Sequence, residues 1–543
     1  MTKLQKLPVR LLALSEAEEN HRSHRLVKIK NCHSGKWDKK LIPSSLINDP
    51  RKLREFLTDA GLSLDVSESD FKQIVNHLKS LPKDRVKLCM RPGFVTVDGF
   101  LCYLTGGGKV IGEYKGYAPM PHPDAQAFKY NETKKGTLKQ WKINVAPSAL
   151  HSPYIMLTVC SAMAGLVINF TDFEPGGFHL YGDSSKGKTT ALIAAASIFG
   201  NDRYICDWNV TETAFEELAE SRNNGLLILD ELGLLEKNKK ESAQRMQKLV
   251  YLLGSGRGKQ RSISYQKHTA LWSLNAISNG ESGLAQHASD GDVSRKKGEQ
   301  VRLIDVSVDC ENDLGIFINL PDKVMPSDYA EMIKENCQRY HGTAGSALIK
   351  KLVKKSSDVL ERIIDKNVQK FLVAHNVDGV NGFEKRLAKR FALAYASGVL
   401  AVKFKVLPFS CENVMEGISW CYMKACNKES LKKEMFTQLL KDSLINACKP
   451  TEEMWGSETI DEIEVIAHVI GNVKVLAVKA DFFKENINGD LEQAIDELRA
   501  SGKLYLDSGK RSTRQIRKGK IVLPRRYCLI VSDWYIGVPA ASL

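Results

Sequence analysis

The 543-residue sequence has no Cys-x-x-Cys pair among its 12 cysteines, which argues against a structural zinc site. It also has no apolar run of the ~20 residues that a membrane-spanning helix needs, since the most apolar stretch covers only residues 155–168. The first 20 residues contain too short an apolar run for a secretory signal. These absences predict a cytoplasmic protein with reduced thiols and no membrane partner.

Acidic residues are in the minority, with 64 Asp and Glu against 78 Lys and Arg, so the formal net charge is +14. A basic surplus of this size is compatible with a polyanionic partner such as nucleic acid, although charge alone does not prove one. At roughly 100–200 residues per domain, the length predicts three or four domains.

The strongest pattern is a glycine-rich loop that follows a short apolar strand at residues 178–181. It is a complete Walker A sequence, Gly-x-x-x-x-Gly-Lys-Thr, and a helical pattern follows it. Glycine lets backbone N–H groups turn toward a phosphate chain, and the helix N-terminus adds partial positive charge. We expect the loop to bind ATP, with Lys188 reaching the β- and γ-phosphates and Thr189 ligating Mg²⁺. The predicted ATP-binding residues of the loop are Gly182, Asp183, Ser184, Ser185, Lys186, Gly187, Lys188, Thr189 and Thr190.

A second apolar run, residues 225–229, ends in two carboxylates, Asp230 and Glu231. Such a run predicts a buried parallel strand, and ligand-binding residues gather at the carboxyl ends of these strands. We expect Asp230 to hold Mg²⁺ through water and Glu231 to polarise the attacking water. Behind a P-loop, this Walker B pattern is a specific signal.

A third apolar strand is predicted at residues 271–278 and is followed by Asn279. An amide at this position can orient the lytic water against the γ-phosphate, which is the sensor-1 role in AAA+ proteins. Ser278 is the alternative sensor, and Asn279 could instead begin an Asn-Gly turn.

Residues 249–269 contain three glycines and several basic residues and predict a β-hairpin after a helix. In helicases similar to MCM, a basic hairpin before sensor 1 forms a pore loop. Lys259, Arg261 and Lys267 are therefore the predicted DNA contacts, which would be mainly to phosphate. A solvated basic loop is the alternative.

Arginines that could complete the nucleotide site from elsewhere follow in the sequence. Arg302 precedes the predicted strand 303–308, where AAA+ proteins place a finger that reaches the neighbouring subunit's γ-phosphate. Arg295 is a poorer candidate, and Arg302 could be an ordinary surface residue. Arg386, or Arg390 one turn later, could supply a sensor-2 contact to ATP, although salt-bridged surface arginines are an equally good interpretation.

Several strings together resemble one family in order and spacing: HLYGDSSKGKTTALIAAASIFG, LLILDEL, VYLLGSGRGKQR, GEQVRLIDV, YHGTAG and KRFALAYASGVLA. It is the domain-of-unknown-function family that includes the Cch helicases of staphylococcal cassette chromosomes. The resemblance spans roughly residues 90–430 and implies an MCM-like, self-loading hexameric AAA+ helicase carried by a mobile element. The family's Ser-Thr-Gly-Glu reads here as residues 278–281, Ser-Asn-Gly-Glu, and its Gly-Glu-Leu-Ala reads as residues 398–401, Gly-Val-Leu-Ala.

Residues 479–531 predict a helix, a turn, a second helix and two basic strands, which is typical of a winged helix. The second helix, 490–500, carries four acids and suits a phosphate-lined groove poorly. The predicted DNA contacts therefore lie on the wing: Lys510, Arg511, Arg514, Arg517 and Lys518. A protein-docking winged helix with a solvated basic loop is the alternative.

These patterns predict an α/β fold with four parts. They are a mixed α+β region (1–150) that could bind DNA or a partner, a P-loop AAA+ core of parallel sheet and helices (151–325), a helical lid (326–430) and a C-terminal winged helix (431–543). The predicted function is ATP-dependent DNA unwinding by a homo-hexamer, with single-stranded DNA in the pore and duplex on the winged helix, in replication initiation. The alternatives are a DNA-binding regulatory or defence ATPase that does not unwind, and an origin binder whose ATPase controls assembly.

Overall fold

The computed structural model describes residues 7–17, 23–115, 117–129, 133–235, 238–259, 269–308, 314–321, 324–377, 382–426, 448–449, 462–470, 473–485, 495, 498–499, 504–506, 512–518 and 521–530. The chain divides into two compact units, residues 1–425 and 426–543.

The first unit begins with a five-stranded sheet and two helices. Its elements are β1 (Val9–Ala17), β2 (His24–Lys30), β3 (Trp37–Pro43), α1 (Pro50–Asp59), α2 (Glu68–Lys79) and β4 (Arg85–Cys89). A small antiparallel sheet follows, with β5 (Gly93–Val97), β6 (Phe100–Leu104) and β7 (Val110–Ile111), and β8 (Tyr117–Pro121) then returns to the first sheet. The first sheet has the order β3-β2-β1-β4-β8. In the small sheet β5, β6 and β7 pair antiparallel in chain order, and Asp98 and Gly99 both have positive φ at the tight turn between β5 and β6.

Two helices lead from this region into a second sheet. They are α3 (Leu138–Asn144) and α4 (Pro153–Val167). All 15 residues of α4 are buried, and Pro at its first position and Ser152 at its N-cap fix where it starts. One 18-residue window, Pro153–Phe170, is apolar enough to cross a membrane by composition, and 94% of it is buried inside the fold. Its apolar surface is therefore used as core.

The second sheet alternates with helices along the chain. Its elements are β9 (Gly176–Tyr181), α5 (Lys188–Ala196), β10 (Cys206–Asp207), α6 (Glu212–Ser221), β11 (Leu226–Asp230), α7 (Lys239–Ser255), β12 (Asn275–Gly280), α8 (Leu284–Asp290), α9 (Lys297–Gln300) and β13 (Leu303–Ser307). The strand order is β10-β11-β12-β9-β13, and every neighbouring pair is parallel. The predicted α/β fold with a parallel sheet is confirmed.

Strands β9 and β12 approach each other closely at the amino end of the sheet. A Cβ added to Gly177 would lie 1.7 Å from the carbonyl oxygen of Ala276, so only glycine fits there. Strand β12 begins at Asn275, later than the predicted Leu271, because residues 269–272 pair with the chain that leaves α7.

Helices fill the remainder of the first unit. They are α10 (Pro326–Arg339), α11 (Thr343–Leu352), α12 (Ser357–Ala374), α13 (Gly382–Lys403) and α14 (Cys411–Cys426). Helix α13 lies within the region predicted to be helical, and it packs on α4 and α12. The Phe178 and Phe391 rings, 4.6 Å apart, join α13 to the second sheet.

The second unit contains a five-stranded sheet and one described helix. Its elements are β14 (Cys448–Lys449), β15 (Val465–Ile470), β16 (Val473–Val478), α15 (Ala480–Glu485), β17 (Thr513–Lys518) and β18 (Ile521–Ile530), with strand order β14-β15-β16-β18-β17. The predicted pair of basic strands is present as antiparallel β17 and β18. The β15–β16 hairpin is an addition to the prediction, and most of the predicted helix at 490–500 lies outside the described residues.

Candidate functional site

The glycine-rich loop joins the carboxyl end of β9 to the start of α5. Ser185 and Gly187 have φ values of 62° and 90°, and a Cβ on Gly187 would lie 3.0 Å from Ile316. These conformations turn the loop back on itself, as phosphate-binding loops require. The Lys188 ammonium donates hydrogen bonds of 2.6 Å to the carbonyls of Gly182 and Asp183. The lysine side chain therefore lies buried against the start of its own loop.

The two acidic residues follow β11 at the same edge of the sheet. Asp230 pairs in register with Asp207 of β10, and its carbonyl accepts a hydrogen bond from the Trp208 N–H. Glu231 has φ of 56°, a left-handed conformation that a non-glycine residue adopts only when its surroundings enforce it. Its side chain is exposed, whereas Asp230 is half-buried. The kink after Asp230 thus directs the Glu231 carboxylate out of the strand.

Asn279 connects the loop with the acidic strand end. Its side-chain carbonyl accepts a hydrogen bond of 2.8 Å from the Glu231 N–H, and its amide nitrogen donates to Thr189 Oγ1 at 3.3 Å. The side chain is buried. Four predicted site residues, Lys188, Thr189, Glu231 and Asn279, are therefore brought together at the carboxyl ends of three neighbouring strands.

Ser278 has a different environment from Asn279, because successive side chains of a strand point to opposite faces. Its hydroxyl bonds to His179 Nδ1 at 2.7 Å, and His179 Nε2 bonds to the carbonyl of Ser282 at 3.0 Å. The Ser282 carbonyl can only accept, so Nε2 carries the proton and Ser278 donates to Nδ1. Burial lowers the pKa of His179 to about 4, so the ring is neutral at pH 7. The sequence does not single out His179 as a site residue, because it lies among the apolar residues of a predicted strand.

A buried ion pair fixes the segment that follows Asn279. Asp305 accepts hydrogen bonds from the N–H groups of Leu284 and Ala285 at the start of α8, and it bonds Arg295 Nη1 at 2.6 Å. The Arg295 side chain is only 5% exposed, and burial lowers its pKa while Asp305 opposes that shift. Its guanidinium also donates to the Leu303 carbonyl. Arg295 is thus committed inside the fold, which argues against a role as a finger.

Arg302 lies at the amino ends of the strands, whereas the glycine-rich loop lies at their carboxyl ends. Its carbonyl accepts from the Gly177 N–H at 2.7 Å, and its guanidinium donates to the Gly298 carbonyl at 2.9 Å. The guanidinium also lies 5.3 Å from the Tyr251 ring centre. A six-residue strand is about 17–20 Å long, so Arg302 does not reach the glycine-rich loop of its own chain.

The α13 arginines also lie away from the loop. Arg390 is buried and donates to the Glu174 carbonyl at 2.7 Å, just before β9 begins. From there α13 runs toward the middle of α4, where Gly398 lies against Cys160. The exposed Arg386 is one turn further back and donates to the Gly382 carbonyl. The expected contact of Arg386 with ATP is therefore not made within one chain, because the helix enters the fold from the amino end of the sheet.

The base of the predicted basic hairpin is present. Arg257 pairs with Leu271 across an antiparallel bridge, and the Gly258 N–H donates to the Ala270 carbonyl at 2.8 Å. Lys259, whose side chain is 57% exposed, forms an ion pair with Glu212. Arg261 and Lys267 lie outside the described residues.

Two carboxylates of α6 hold this hairpin base. Glu216 accepts from the Lys259 N–H at 3.2 Å, and Glu220 accepts from the Leu271 N–H at 3.1 Å. Both side chains are buried although they are acidic. The two strands of the hairpin are thus attached to α6, the helix that follows β10. Helix α6 begins after the N-cap Thr211, whose side chain accepts a hydrogen bond from the Ala214 N–H.

The described part of the C-terminal basic region forms β17 and β18. Arg517 is exposed, and Arg514 is half-buried with its guanidinium 5.2 Å from the Tyr505 ring centre. Lys518 ends β17, and Lys510 and Arg511 lie outside the described residues. Arg526, also basic, is buried and donates to the Ile463 and Glu464 carbonyls, so it has a structural role.

Comparison with known proteins finds a family and a solved structure to which this chain is similar. Residues 3–267 match the family described as "Domain of unknown function (DUF927)". The fold is similar to a solved structure named "SCCmec type IV Cch - active helicase", with a TM-score of 0.59 and 18% sequence identity. That similarity covers 96% of this chain and 93% of the other. No curated protein matches the sequence. Residues 3–267 are therefore similar to the DUF927 family, and the chain has the fold of the Cch helicase structure, which confirms the resemblance seen in its sequence motifs.

Proposed function

We propose that this chain is an ATP-driven DNA helicase or translocase of the AAA+ type that works as a homo-hexameric ring. The observation that carries the proposal is the Asn279 amide, which ties the P-loop helix to Glu231 at the edge of the sheet. The shared fold with the Cch helicase supports the same assignment. A role in starting the replication of a mobile element, in the cytoplasm, follows from the family resemblance.

The nucleotide site would bind ATP through its loop and its lysine. Lys188 now donates to two loop carbonyls, and the β- and γ-phosphates would replace them as stronger, charged acceptors. The exposed Thr189 hydroxyl and the half-buried Asp230 carboxylate supply the oxygen ligands that Mg²⁺ prefers, so these residues fit a magnesium site. Mg²⁺ held there would neutralise charge on the phosphates.

Hydrolysis would use Glu231 and Asn279. The exposed Glu231 carboxylate leaves the strand at a left-handed residue, where it can accept a proton from an attacking water. Asn279 fixes the Glu231 backbone with one half of its amide and contacts the P-loop helix with the other. It would therefore orient the water and report the state of the phosphate. Ser278 is excluded from this role in our proposal, because its hydroxyl is occupied by His179.

An arginine from a second copy would complete the site. Arg302 and Arg386 both lie toward the amino end of the sheet and do not reach the loop of their own chain. If either contacts the γ-phosphate, it must do so on ATP bound by a neighbouring subunit. Such contacts couple hydrolysis to assembly, and a finger of this kind is worth orders of magnitude in rate.

Coupling to DNA would pass from the acidic strand to the basic hairpin. Strand β10 pairs with β11 beside Asp230, and the chain continues into α6, whose Glu216 and Glu220 hold the hairpin base. The Lys259 side chain of the ion pair with Glu212 is 57% exposed, so Lys259 can exchange Glu212 for a phosphate. In the proposal Lys259, Arg261 and Lys267 contact single-stranded DNA inside the ring. Residues of the basic strands and their connections, including Lys510, Arg511, Arg514, Arg517 and Lys518, contact duplex.

A strand-displacement assay on a forked duplex tests the proposal. We expect ATP- and Mg²⁺-dependent unwinding by the wild type, and none by Lys188→Ala or Glu231→Gln. The two variants should differ in binding, because Glu231→Gln keeps every phosphate contact and should retain labelled ATP, whereas Lys188→Ala should not.

Two results would overturn the proposal. ATP hydrolysis on DNA without strand separation in either polarity would indicate an ATPase that grips DNA for regulation, defence or origin binding. A protein that neither binds nor hydrolyses ATP would remove the enzymatic assignment altogether.

A further inference from the structure

One face of the first sheet carries basic side chains on its strands β1, β2 and β3. The register pairs Arg10 with Lys28 and Lys28 with Lys39, so these three cations form a row across β1, β2 and β3. Lys30 pairs with Trp37, and both lie two residues from that row, hence on the same face. We call these five residues the N-terminal basic face: Arg10, Lys28, Lys30, Trp37 and Lys39.

The opposite face of the same strands is the hydrophobic one. Val9, Val27 and Ile29 are fully buried there against α1 and α2. Because side chains alternate along a strand, burial of this set forces the basic set to the other side. The N-terminal basic face therefore points away from the two helices, and its neighbours Leu26 and Leu41 belong to a separate small apolar cluster nearer β4.

Among the described residues, acidic side chains do not balance the three lysines of this face. The only acids on the three strands are Glu16 and Asp38. Asp38 pairs with Ile29 on the opposite face, where it accepts a hydrogen bond from Asn31, and Glu16 pairs with Lys87 of β4. Within the described part of the chain, no carboxylate forms an ion pair with Lys28, Lys30 or Lys39. Three lysines without a paired carboxylate among the described residues thus lie on one surface, beside Arg10.

The face also presents aromatic surface. The Arg10 guanidinium lies over the Trp37 ring, with 4.5 Å from its carbon to the ring centre. Arg10 is exposed and Trp37 is half-buried, so this planar pair is reachable from solvent. Unpaired nucleic-acid bases stack on aromatic rings and on guanidinium planes.

We propose that the N-terminal basic face binds single-stranded DNA. Neighbouring strands are about 4.8 Å apart and alternate residues along a strand about 6.8 Å apart, so the four cations form an array that a flexible phosphate chain can follow. The stacked Arg10–Trp37 pair favours a strand whose bases are accessible over a duplex, in which they are not. This contact is additional to the hairpin, and it would hold the strand outside the ATPase core.

The test uses the full chain and two triple variants of equal charge. Lys28→Ala/Lys30→Ala/Lys39→Ala removes three cations from the face. Lys72→Ala/Lys79→Ala/Lys83→Ala is the matched control, since its lysines are exposed on α2 and in the loop after it. Binding of a labelled oligothymidylate of about 30 nucleotides is measured by fluorescence anisotropy over a range of salt concentrations. Melting temperatures verify that both variants fold.

We expect the face variant to bind the oligonucleotide on the order of tenfold more weakly. The slope of the logarithm of the binding constant against the logarithm of the salt concentration should decrease in magnitude by about 2, at ~0.7 per phosphate contact. The control should bind like the wild type. Trp37→Ala should also weaken binding, whereas Trp37→Phe should largely retain it. Equal losses in both triple variants, or an unchanged salt slope in the face variant, would refute the proposal. If the face variant lost binding only to blunt duplex DNA, or only to polyglutamate, the face would be assigned to another partner. DNA-free ATPase is the independent readout, because it depends on the P-loop and not on this face.

Discussion

The side-chain carbonyl of Asn279 accepts a hydrogen bond from the backbone N–H of Glu231 at 2.8 Å. This bond holds Glu231 in a left-handed conformation that otherwise costs about 1–2 kcal/mol for a residue other than glycine. Since the same amide also reaches Thr189, any movement of the P-loop helix is transmitted to the acidic residue. The conformation of Glu231 therefore depends on its bond to Asn279 and, through Asn279, on the position of Thr189.

Replacing Asn279 by Ala should slow ATP hydrolysis on the order of 100-fold, as removal of a polar group that orients the transition state does. ATP binding should remain, because Lys188 and the loop are untouched. The measurement is steady-state ATPase together with binding of a fluorescent ATP analogue. Ser278→Ala is the comparison, and it should lower the melting temperature while leaving turnover per folded molecule within a few-fold of the wild type. The reverse pattern would transfer the sensor role to Ser278.

Stability should fall in acid because of His179. Its pKa is about 4 in the folded chain and ~6.5 when unfolded, so between these values only the unfolded chain binds the proton. The associated loss begins as pH falls through 6.5 and is complete near pH 4, where it amounts to ~3 kcal/mol. His179→Gln removes the titrating group, so the melting temperatures of wild type and variant, compared from pH 7.5 to 5, should converge as pH falls. Parallel curves would mean that His179 does not titrate in this range.

Removing the carboxylates under the hairpin should uncouple DNA from hydrolysis. Glu216→Ala and Glu220→Ala each leave a hairpin N–H without its acceptor, which destabilises the hairpin base by about 1–3 kcal/mol. We expect DNA to lose its stimulation of the ATPase while DNA-free ATPase is retained. Glu217→Ala, on the exposed side of the same helix, is the control and should behave like the wild type. Retained stimulation in Glu216→Ala/Glu220→Ala would disconnect α6 from the hairpin's function.

The two arginines near β13 should give opposite results. Arg295→Ala leaves Asp305 without its buried partner and should lower the free energy of unfolding by about 3 kcal/mol or more. Arg302→Ala should change stability little but reduce the ATPase strongly. Mixing Arg302→Ala with Glu231→Gln subunits should restore part of the activity, because the first supplies an intact loop and the second an intact arginine. Absence of rescue, with mixed assembly verified by pull-down, would rule out action in trans.

Local patterns in the sequence are sufficient to predict the glycine-rich loop and the strand that ends at Asp230 and Glu231. Each is encoded within eight neighbouring residues, and the loop conformation is enforced by its own glycines. The sequence alone does not decide between Ser278 and Asn279 as the sensor residue, for a physical reason. Adjacent residues of a strand face opposite sides, and only the register with β9 shows which side holds the phosphate loop.

Contacts between distant segments account for most of what the sequence left undecided. His179 bonds Ser282 across 103 positions, and Asp305 holds the start of α8. Neither pairing has a local signature, because hydrogen bonds between separate strands and loops depend on how the sheet is ordered. Arg302 and Arg386 illustrate the same limit. Their positions along the chain indicate a nucleotide contact, but they do not show that both residues lie toward the amino ends of the strands.

The tight contact of Gly177 with Ala276 fixes β9 and β12 against each other at the amino end of the second sheet. Main chains that touch without intervening side chains cannot slide past each other, since no rotamer can adjust to absorb the shift. Movement driven by a bound nucleotide would therefore appear at the carboxyl ends of these strands, where the glycine-rich loop, Glu231 and Asn279 lie. The hairpin base leaves β12 at the amino end, beside this fixed contact, so a signal from the nucleotide would reach it through α6, whose Glu216 and Glu220 hold it, and not by sliding of β9 and β12.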